Sequence, residues 1–205
     1  NENTAMDARS GGVYIAESTD VDSIALFGAD DTFGQSVVDN YRTVLENRGV
    51  DIALERAVAS GQQEWQGLLE QAENEGAEAM VGGFTAQTLP FFSSEFLSGD
   101  YDLQLFGGFA SRVTLSVVGD TLSGVLGDSF TNEDIADAGF GPFTTRYHWN
   151  QYDNDINNAF IDRHTSTYGV VPDLFTSGAF TAASAVVQAV EQEGEGSREA
   201  IISGL

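Results

Sequence analysis

The sequence predicts an α/β protein, a doubly wound parallel sheet followed by helices. Three observations predict it. Short apolar runs alternate with amphipathic stretches five times in the first 130 residues. Glycines close most of the short runs. Beyond about residue 150 the spacing is helical throughout. Alternation of this kind is the mark of βαβ units with helices on both faces of a parallel sheet.

Taken in order, Thr4 to Glu17 reads as a helix with Thr4 as N-cap, weakened by Gly11 and Gly12. Ser23 to Phe27 reads as a buried strand ended by Gly28. Gln35 to Asn47 carries Val37, Val38, Tyr41, Val44 and Leu45 at helical spacing, with Gly49 as its stop. Ile52 to Ala59 is the next strand. Glu64 to Glu75 follows as a helix with Trp65, Leu68, Leu69 and Ala72 on one face. Ala79 to Val81 is a short strand closed by Gly82 and Gly83. Ala86 to Leu97 is a helix that holds Pro90 in its first turns, where proline is tolerated. Leu103 to Phe106 reads as a strand, Arg112 to Val118 as a short helix, and Val125 to Phe130 as another strand.

Residues 131–150 break the rhythm with Gly139, Gly141, Pro142 and a cluster of aromatic and histidine residues. They read as a long loop and then a strand near Thr144 to Trp149. Helices follow over Asp155 to Tyr168, Ser177 to Glu193 and Arg198 to Leu205. The expected division is a lobe over 10–130, a crossover over 131–150, and returning helices over 151–205.

Composition narrows the chemistry. The chain holds 32 acidic and 8 basic side chains, so its formal charge is 8 − 32 = −24. All the basic residues are arginine. Without lysine there is no P-loop NTPase and no Schiff-base chemistry. Without clustered cations, nucleic acid and anionic membranes are not expected partners. Cysteine is absent, so neither a disulfide framework nor a thiolate site is available. No apolar run reaches the ~18 residues of a membrane span. The chain begins at Asn1, as a mature or excised piece would. The acids are scattered rather than blocked, which fits a solvated acidic shell suited to high salt, where self-repulsion is screened.

Ligands of open parallel sheets sit beyond the carboxyl ends of the strands. Three such ends share a form: Phe27-Gly28 leading to Thr32-Phe33-Gly34, then Gly82-Gly83-Phe84-Thr85, then Gly107-Gly108-Phe109-Ala110-Ser111. Each sets an aromatic and small residues before a helix N-terminus. Glycine permits close approach, helix N–H groups offer donors, and the rings offer apolar walls. The alternative is that these are tight turns whose phenylalanines belong to the core.

Enzyme signatures are weak. His148 and His164 lack a partner at metal-ligand spacing, and no G-x-S-x-G elbow exists. Gly139-Phe140-Gly141 is followed by Pro142, with Thr144 where a dinucleotide fingerprint has its third glycine. Asp153 to Asn157 resembles the start of a calcium loop, but Asn158 replaces the glycine and His164 the bidentate glutamate. A capped helix start is the better reading. Asp30 and Asp31 read as a polar turn before a carboxylate pair.

The order of these blocks resembles the type I periplasmic binding-protein superfamily. It is most similar to the branched-chain amino-acid (Leu/Ile/Val) solute-binding proteins of ABC importers. The matching stretches are Ile24 to Phe27 with Thr32 to Gln35, Gly61 with Glu64-Trp65 and Leu68-Leu69, and Gly76 to Phe84. Phe106 to Gly108, Leu122 to Val125, Ala159-Phe160 with Tyr168-Gly169 and Pro172-Asp173, and Thr176 to Val190 follow. The resemblance implies two α/β lobes that close on a ligand, with most of the first lobe outside this sequence. It implies an extracellular or surface-anchored protein that does no chemistry, with an importer permease as partner and no cofactor or metal. By the same likeness Phe33 and Phe84 line the cleft, and Phe109 stands at or beside the place where amino-acid binders carry a glutamate for the ligand ammonium. That departure favours an apolar or aromatic acid, an amide or a similar small molecule over an amino acid. The expected ligand residues are Phe33, Phe84, Thr85, Phe109 and Ser111, with Tyr147 or Trp149 near the hinge. A haloarchaeal source is expected. The alternatives are a sensor domain of the same fold and an α/β enzyme using His148.

Overall fold

Asp31 decides where the first long helix of the sheet begins. Its extended backbone and its carboxylate, which accepts the Gly34 N–H at 2.8 Å, start the helix three residues earlier than the apolar spacing suggests. In the computed structural model, which describes residues 3–107, 112–143 and 147–205, that helix belongs to a unit spanning Glu2–Thr145; Asn1 and Arg146–Leu205 form a second.

The larger unit runs α1 (Thr4–Ser18), β1 (Ser23–Ala29), α2 (Thr32–Glu46), β2 (Asp51–Val58), α3 (Gln66–Asn74), β3 (Ala79–Gly83), α4 (Leu89–Ser98), β4 (Gln104–Gly107), α5 (Arg112–Leu126), α6 (Asn132–Asp137) and β5 (Phe140–Phe143). Its strands form one sheet in the order β2-β1-β3-β4-β5, and every described pairing is parallel. This is the α/β architecture the alternation predicts.

Helices cover both faces. On one, Ala25, Phe27, Met80 and Leu105 pack with Trp65, Leu69 and Ala72 of the α3 region and with Phe92 and Phe96 of α4. On the other, Ile24, Leu26, Val81 and Phe106 pack with Ala8 and Ile15 of α1 and with Val37, Val38, Tyr41 and Leu45 of α2. Successive residues of β1 thus enter opposite cores, which is why the strand is an unbroken apolar run. Gly11 lets α1 and α2 approach: a Cβ there would lie 2.3 Å from the Tyr41 hydroxyl. The glycine that weakens the helix locally is what its packing needs.

Several expectations are corrected. Asn3, not Thr4, caps α1, its side chain accepting from the Met6 N–H. β1 continues through Gly28, which pairs with Gly83 and Ala57. Val125 to Phe130 is no strand: α5 runs to Leu126 with Val118 and Leu122 buried four residues apart, and Gly127 turns the chain at φ +91°. The expected loop over 131–150 contains α6, held by a capping box between Thr131 and Asp134. Thr131 holds the Asp134 carboxyl below the usual carboxylate range. The strand of this region is β5; Tyr147 to Trp149 are not extended into one, and 144–146 lie outside the described residues.

The second unit contains α7 (Asp155–Tyr168), α8 (Leu174–Glu193) and α9 (Arg198–Gly204). Asn154, Asp173 and Ser197 cap their starts, and Gly169 and Gly194, both at φ +74°, end α7 and α8. Asp173 with Thr176 forms a capping box, so α8 begins before the expected Ser177.

Candidate functional site

The register sets the strand ends side by side. Gly28 of β1 faces Gly83 of β3, and Ala29 faces Val58 of β2. The segments after β1, β2 and β3 therefore leave one edge of the sheet, the edge where open α/β sheets hold ligands.

After β1, the Asp30 N–H donates to the Val58 carbonyl at 2.8 Å. Asp31 is spent as the cap of α2, which supports the polar-turn reading of this acidic pair. Gly34 allows the helix to start directly over the strand: a Cβ there would lie 2.2 Å from the backbone N and O of Ala29. Phe33 is thereby set in the first turn of α2, 37% exposed.

After β3, Phe84 folds back over Gly82, where a Cβ would lie 2.2 Å from its ring. The ring packs against Trp65 and Phe92, centroids 5.0 and 4.8 Å apart. Phe84 is half-buried and joins the core on the α3–α4 face. Phe33 rides on α2, which covers the opposite face. The two residues thus follow neighbouring strand ends but belong to helices and cores on opposite faces of the sheet. Thr85 is half-buried, and its hydroxyl lies 3.3 Å from that of Thr88, which is fully buried. Thr88 Oγ1 also accepts the Gly61 N–H at 3.0 Å, and the Ser60 hydroxyl donates to Gln87 Oε1 at 3.1 Å. The loops after β2 and β3 are thus latched together. After β4, Phe109 and Ser111 lie outside the described residues.

Tyr147 and Trp149 belong to the second unit. The Tyr147 hydroxyl donates to Asn157 Oδ1 at 2.8 Å, and Asn157 Nδ2 donates to the carbonyls of Trp149 at 2.9 Å and Tyr152 at 2.6 Å. Burial pushes the Tyr147 phenol above its usual pKa. The Trp149 side chain is 38% exposed. His148 pairs with the Asn150 carboxamide, and Asn154 caps α7, the helix-start reading of the calcium-like run. Among the described residues no three His, Asp or Glu side chains gather as a metal site.

Sequence reasoning missed Thr88 and Asn157. The helix expected from Ala86 begins at Leu89, with Thr88 at its N-cap, yet the Thr88 side chain caps nothing. Asn157 sits inside the calcium-like run, between Ile156 and Asn158, and its residue type there carried no signal beyond a helix start. A hollow of about 260 Å³ at the ends of β1 and β2, reached by Gln35, Glu55 and Arg56, touches none of the expected residues. Another of about 600 Å³ in the second unit, beside Phe160, His164 and Phe180, also touches none.

Residues 1–205, the whole sequence, match the family described as periplasmic binding protein. The chain belongs to the periplasmic binding protein family. Among solved structures it is similar to a leucine binding protein from Thermotoga maritima, with 15% identity, a TM-score of 0.77, and coverage of 98% of this chain and 53% of that one. It is similar to an ABC-type branched-chain amino acid transporter protein from Rhodopseudomonas palustris, with 21% identity, a TM-score of 0.71, and coverage of 100% and 52%. A solute binding protein of an ABC transporter from R. palustris, solved in complex with benzoate, has 16% identity, a TM-score of 0.69, and coverage of 98% and 50%. At these identities the likeness establishes the fold. No curated protein matches the sequence. This periplasmic binding protein chain spans about half the length of the solved proteins it matches. No helix among its described residues is long and apolar enough to cross a membrane.

Proposed function

We propose that this chain is a ligand-binding part of an extracellular or surface-anchored solute-binding protein that delivers a small molecule to the permease of an ABC importer. It binds and releases its ligand and carries out no chemistry. The observation that carries the reading is the shared edge of β1 and β3, where Phe33 and the Phe84-Thr85 pair flank adjacent strand ends in a member of the periplasmic binding protein family. In this reading 10–130 supply one lobe, 131–150 the crossover, and 151–205 helices of the other lobe. Phe33, Phe84, Thr85, Phe109 and Ser111 receive the ligand, with Tyr147 and Trp149 contributing from the hinge side. Closure follows because the ligand touches both lobes only in the shut state and so shifts the hinge equilibrium.

The ligand is an amino acid or a related apolar or aromatic compound. The solved relatives named for leucine and for benzoate span that range. Phe109 in place of an acidic residue weighs toward the compounds without an ammonium, because a buried ammonium needs acceptors. The formal charge of −24 and the absence of lysine support a halophilic, haloarchaeal setting.

The test is a thermal-shift screen of branched-chain amino acids and benzoates on the full-length protein in molar KCl. A binder raises Tm according to RT ln(1 + [L]/Kd). A protein that no small metabolite stabilises at millimolar concentration contradicts the reading.

A further inference from the structure

The strand order puts β1 between β2 and β3, so β2 and β3 share no ladder bonds among the described pairings. Whatever joins the loops that leave them must come from the loops themselves. The Gly61 N–H donates to Thr88 Oγ1 at 3.0 Å, and the Ser60 hydroxyl donates to Gln87 Oε1 at 3.1 Å. Beside these bonds, the Trp65 indole donates through Nε1 to the Gln62 carbonyl at 3.1 Å. Its centroid lies 5.0 Å from that of Phe84 and 5.1 Å from that of Phe92.

The two bonds between the loops differ in weight. Ser60 and Gln87 are exposed, and a bond open to water contributes little. Thr88 is fully buried, and Gly61 meets it from a backbone at φ +74°, which glycine adopts without a Cβ penalty. Opening one loop alone breaks this bond and leaves the other loop's half of it in place, at the cost of a polar group without its partner. Opening both together exposes the two groups to water at once and spares that cost. The backbone of Thr88 extends the connection. Its N–H donates to the Thr85 carbonyl at 3.0 Å, and its carbonyl accepts the Phe92 N–H at 3.1 Å. One residue therefore ties the turn after β3, the first turn of α4 and the loop after β2.

We propose that 60–62 and 84–88 open and close as one unit with Thr88 as its joint, so that a ligand held at the β3 end is felt at Gly61, in a loop that carries none of the expected ligand residues. The effect of the ligand rests on the reading that places it at that edge; the joint does not. The turn after β1 lies outside the unit. Its helix, α2, covers the other face, and its Gly34 N–H goes to Asp31.

Amide hydrogen exchange of the full-length protein, resolved to single residues, reads the unit first without ligand. The Gly61 and Thr88 amides are expected to open with the same free energy and the same dependence on urea, and the Gly34 amide with values of its own. Different values at Gly61 and Thr88 overturn the unit. Thr88→Val keeps the shape of the side chain and removes the acceptor. The Gly61 amide then exchanges roughly fivefold to tenfold faster while Gly34 is unchanged, and Thr88→Ser, which keeps a hydroxyl, leaves Gly61 as it was. A Gly61 amide indifferent to Thr88→Val overturns the joint. If Thr88→Val does not fold, the comparison of Gly61 with Thr88 in the unmodified protein decides. Leucine and benzoate are the probes of the ligand effect, with Kd measured by calorimetry. A probe held at the β3 end slows Gly61 and Thr88 by the same factor, roughly tenfold at a concentration near ten times Kd, and in Thr88→Val it slows 84–87 without Gly61. Slowing of 84–88 without Gly61 in the unmodified protein overturns the unit while the edge remains a site. A probe that binds and slows neither overturns the edge as the site, and with it the effect at Gly61, while the unit stands on the comparison made without ligand.

Discussion

The ring of Phe84 meets the indole of Trp65 at an interplanar angle of 66°, with centroids 5.0 Å apart. Trp65 is fully buried and also touches Phe27 and Phe92. A residue at the strand end is therefore also a piece of the core. Phe84→Ala is expected to cost about 2–3 kcal/mol of stability, toward the lower side for a phenylalanine truncation because the ring is only half-buried. Phe84→Leu should cost less, about 1 kcal/mol. Urea denaturation measures both. A free cleft wall with no packing role would leave the midpoint unchanged.

Gly34 and Gly67 should respond oppositely to alanine. A Cβ at Gly34 would collide with the backbone of Ala29, 2.2 Å away, and backbone cannot give as a side chain can. Gly34→Ala is expected to destabilise by more than about 2 kcal/mol and to disturb the start of α2. Gly67 lies in α3 with nothing within 4 Å of a Cβ. Gly67→Ala is expected to stabilise by about 0.5–1 kcal/mol through helix propensity. Thermal and chemical denaturation of the two variants check the contrast.

Asn157 makes three side-chain hydrogen bonds while 7% exposed: one from Tyr147 and two to backbone carbonyls. Asn157→Leu keeps the volume and abandons all of them. The expected loss is about 2–4 kcal/mol, because Tyr147 and the two carbonyls are left without this partner in partly buried surroundings. Asn157→Asp retains the Tyr147 bond and should lose less. Hydrogen exchange over 147–157 reports the release of this segment.

Tyr101 and Tyr147 should titrate above the ordinary tyrosine range. Burial raises both phenols, and at Tyr101 the hydrogen bond to Glu95, 2.6 Å long, raises it further. A phenol whose folded pKa lies above its unfolded value stabilises the fold fully below the ordinary tyrosine range. That contribution is lost as pH rises through the folded value. Absorbance titration of Tyr101→Phe and Tyr147→Phe should each remove a component that titrates above the ordinary tyrosine range. Removal of a component within or below that range instead would contradict the assignment.

Salt should stabilise this chain over a wide range. The described ion pairs join Arg42 to Asp39 and Glu55, and Arg48 to Glu17, and the 32 acids outnumber the 8 arginines fourfold. Between 0.1 and 2 M KCl the screening length falls from ~10 Å to below ~3 Å, and repulsion among the acids fades. Tm is expected to rise across that interval by more than can be lost from the exposed Arg42 pairs, each worth about 0–1 kcal/mol. A flat or falling Tm would remove the halophilic part of the account.

Much of the sheet was legible because its strands are covered on both faces. Ile24 to Phe27 and Ala79 to Val81 carry little but apolar residues, and no amphipathic helix looks like that. Helix starts were read late at α2 and α8 because apolar spacing marks only the packed turns, whereas Asp31 and Asp173 set the caps. Val125 to Phe130 misled because an apolar run near a helix end is ambiguous, and only the burial of Val118 and Leu122 settles its period. β5 escaped because Gly141 and Pro142 are loop signals, and proline is admitted only where a strand lies at the sheet edge, as this one does. At the site, the aromatic and glycine pattern at the strand ends was visible. That Phe84 leans on Trp65, and that Thr88 turns from its helix to Gly61, depends on loops brought together by the register of β1, β2 and β3.

Amide hydrogen exchange of the full-length protein, with and without a saturating ligand from the screen, tests the central claim most directly. Protection is expected to rise over 30–34 and 84–88, the segments that leave the neighbouring ends of β1 and β3. Protection that rises elsewhere while both segments exchange as before would contradict a ligand held at that edge.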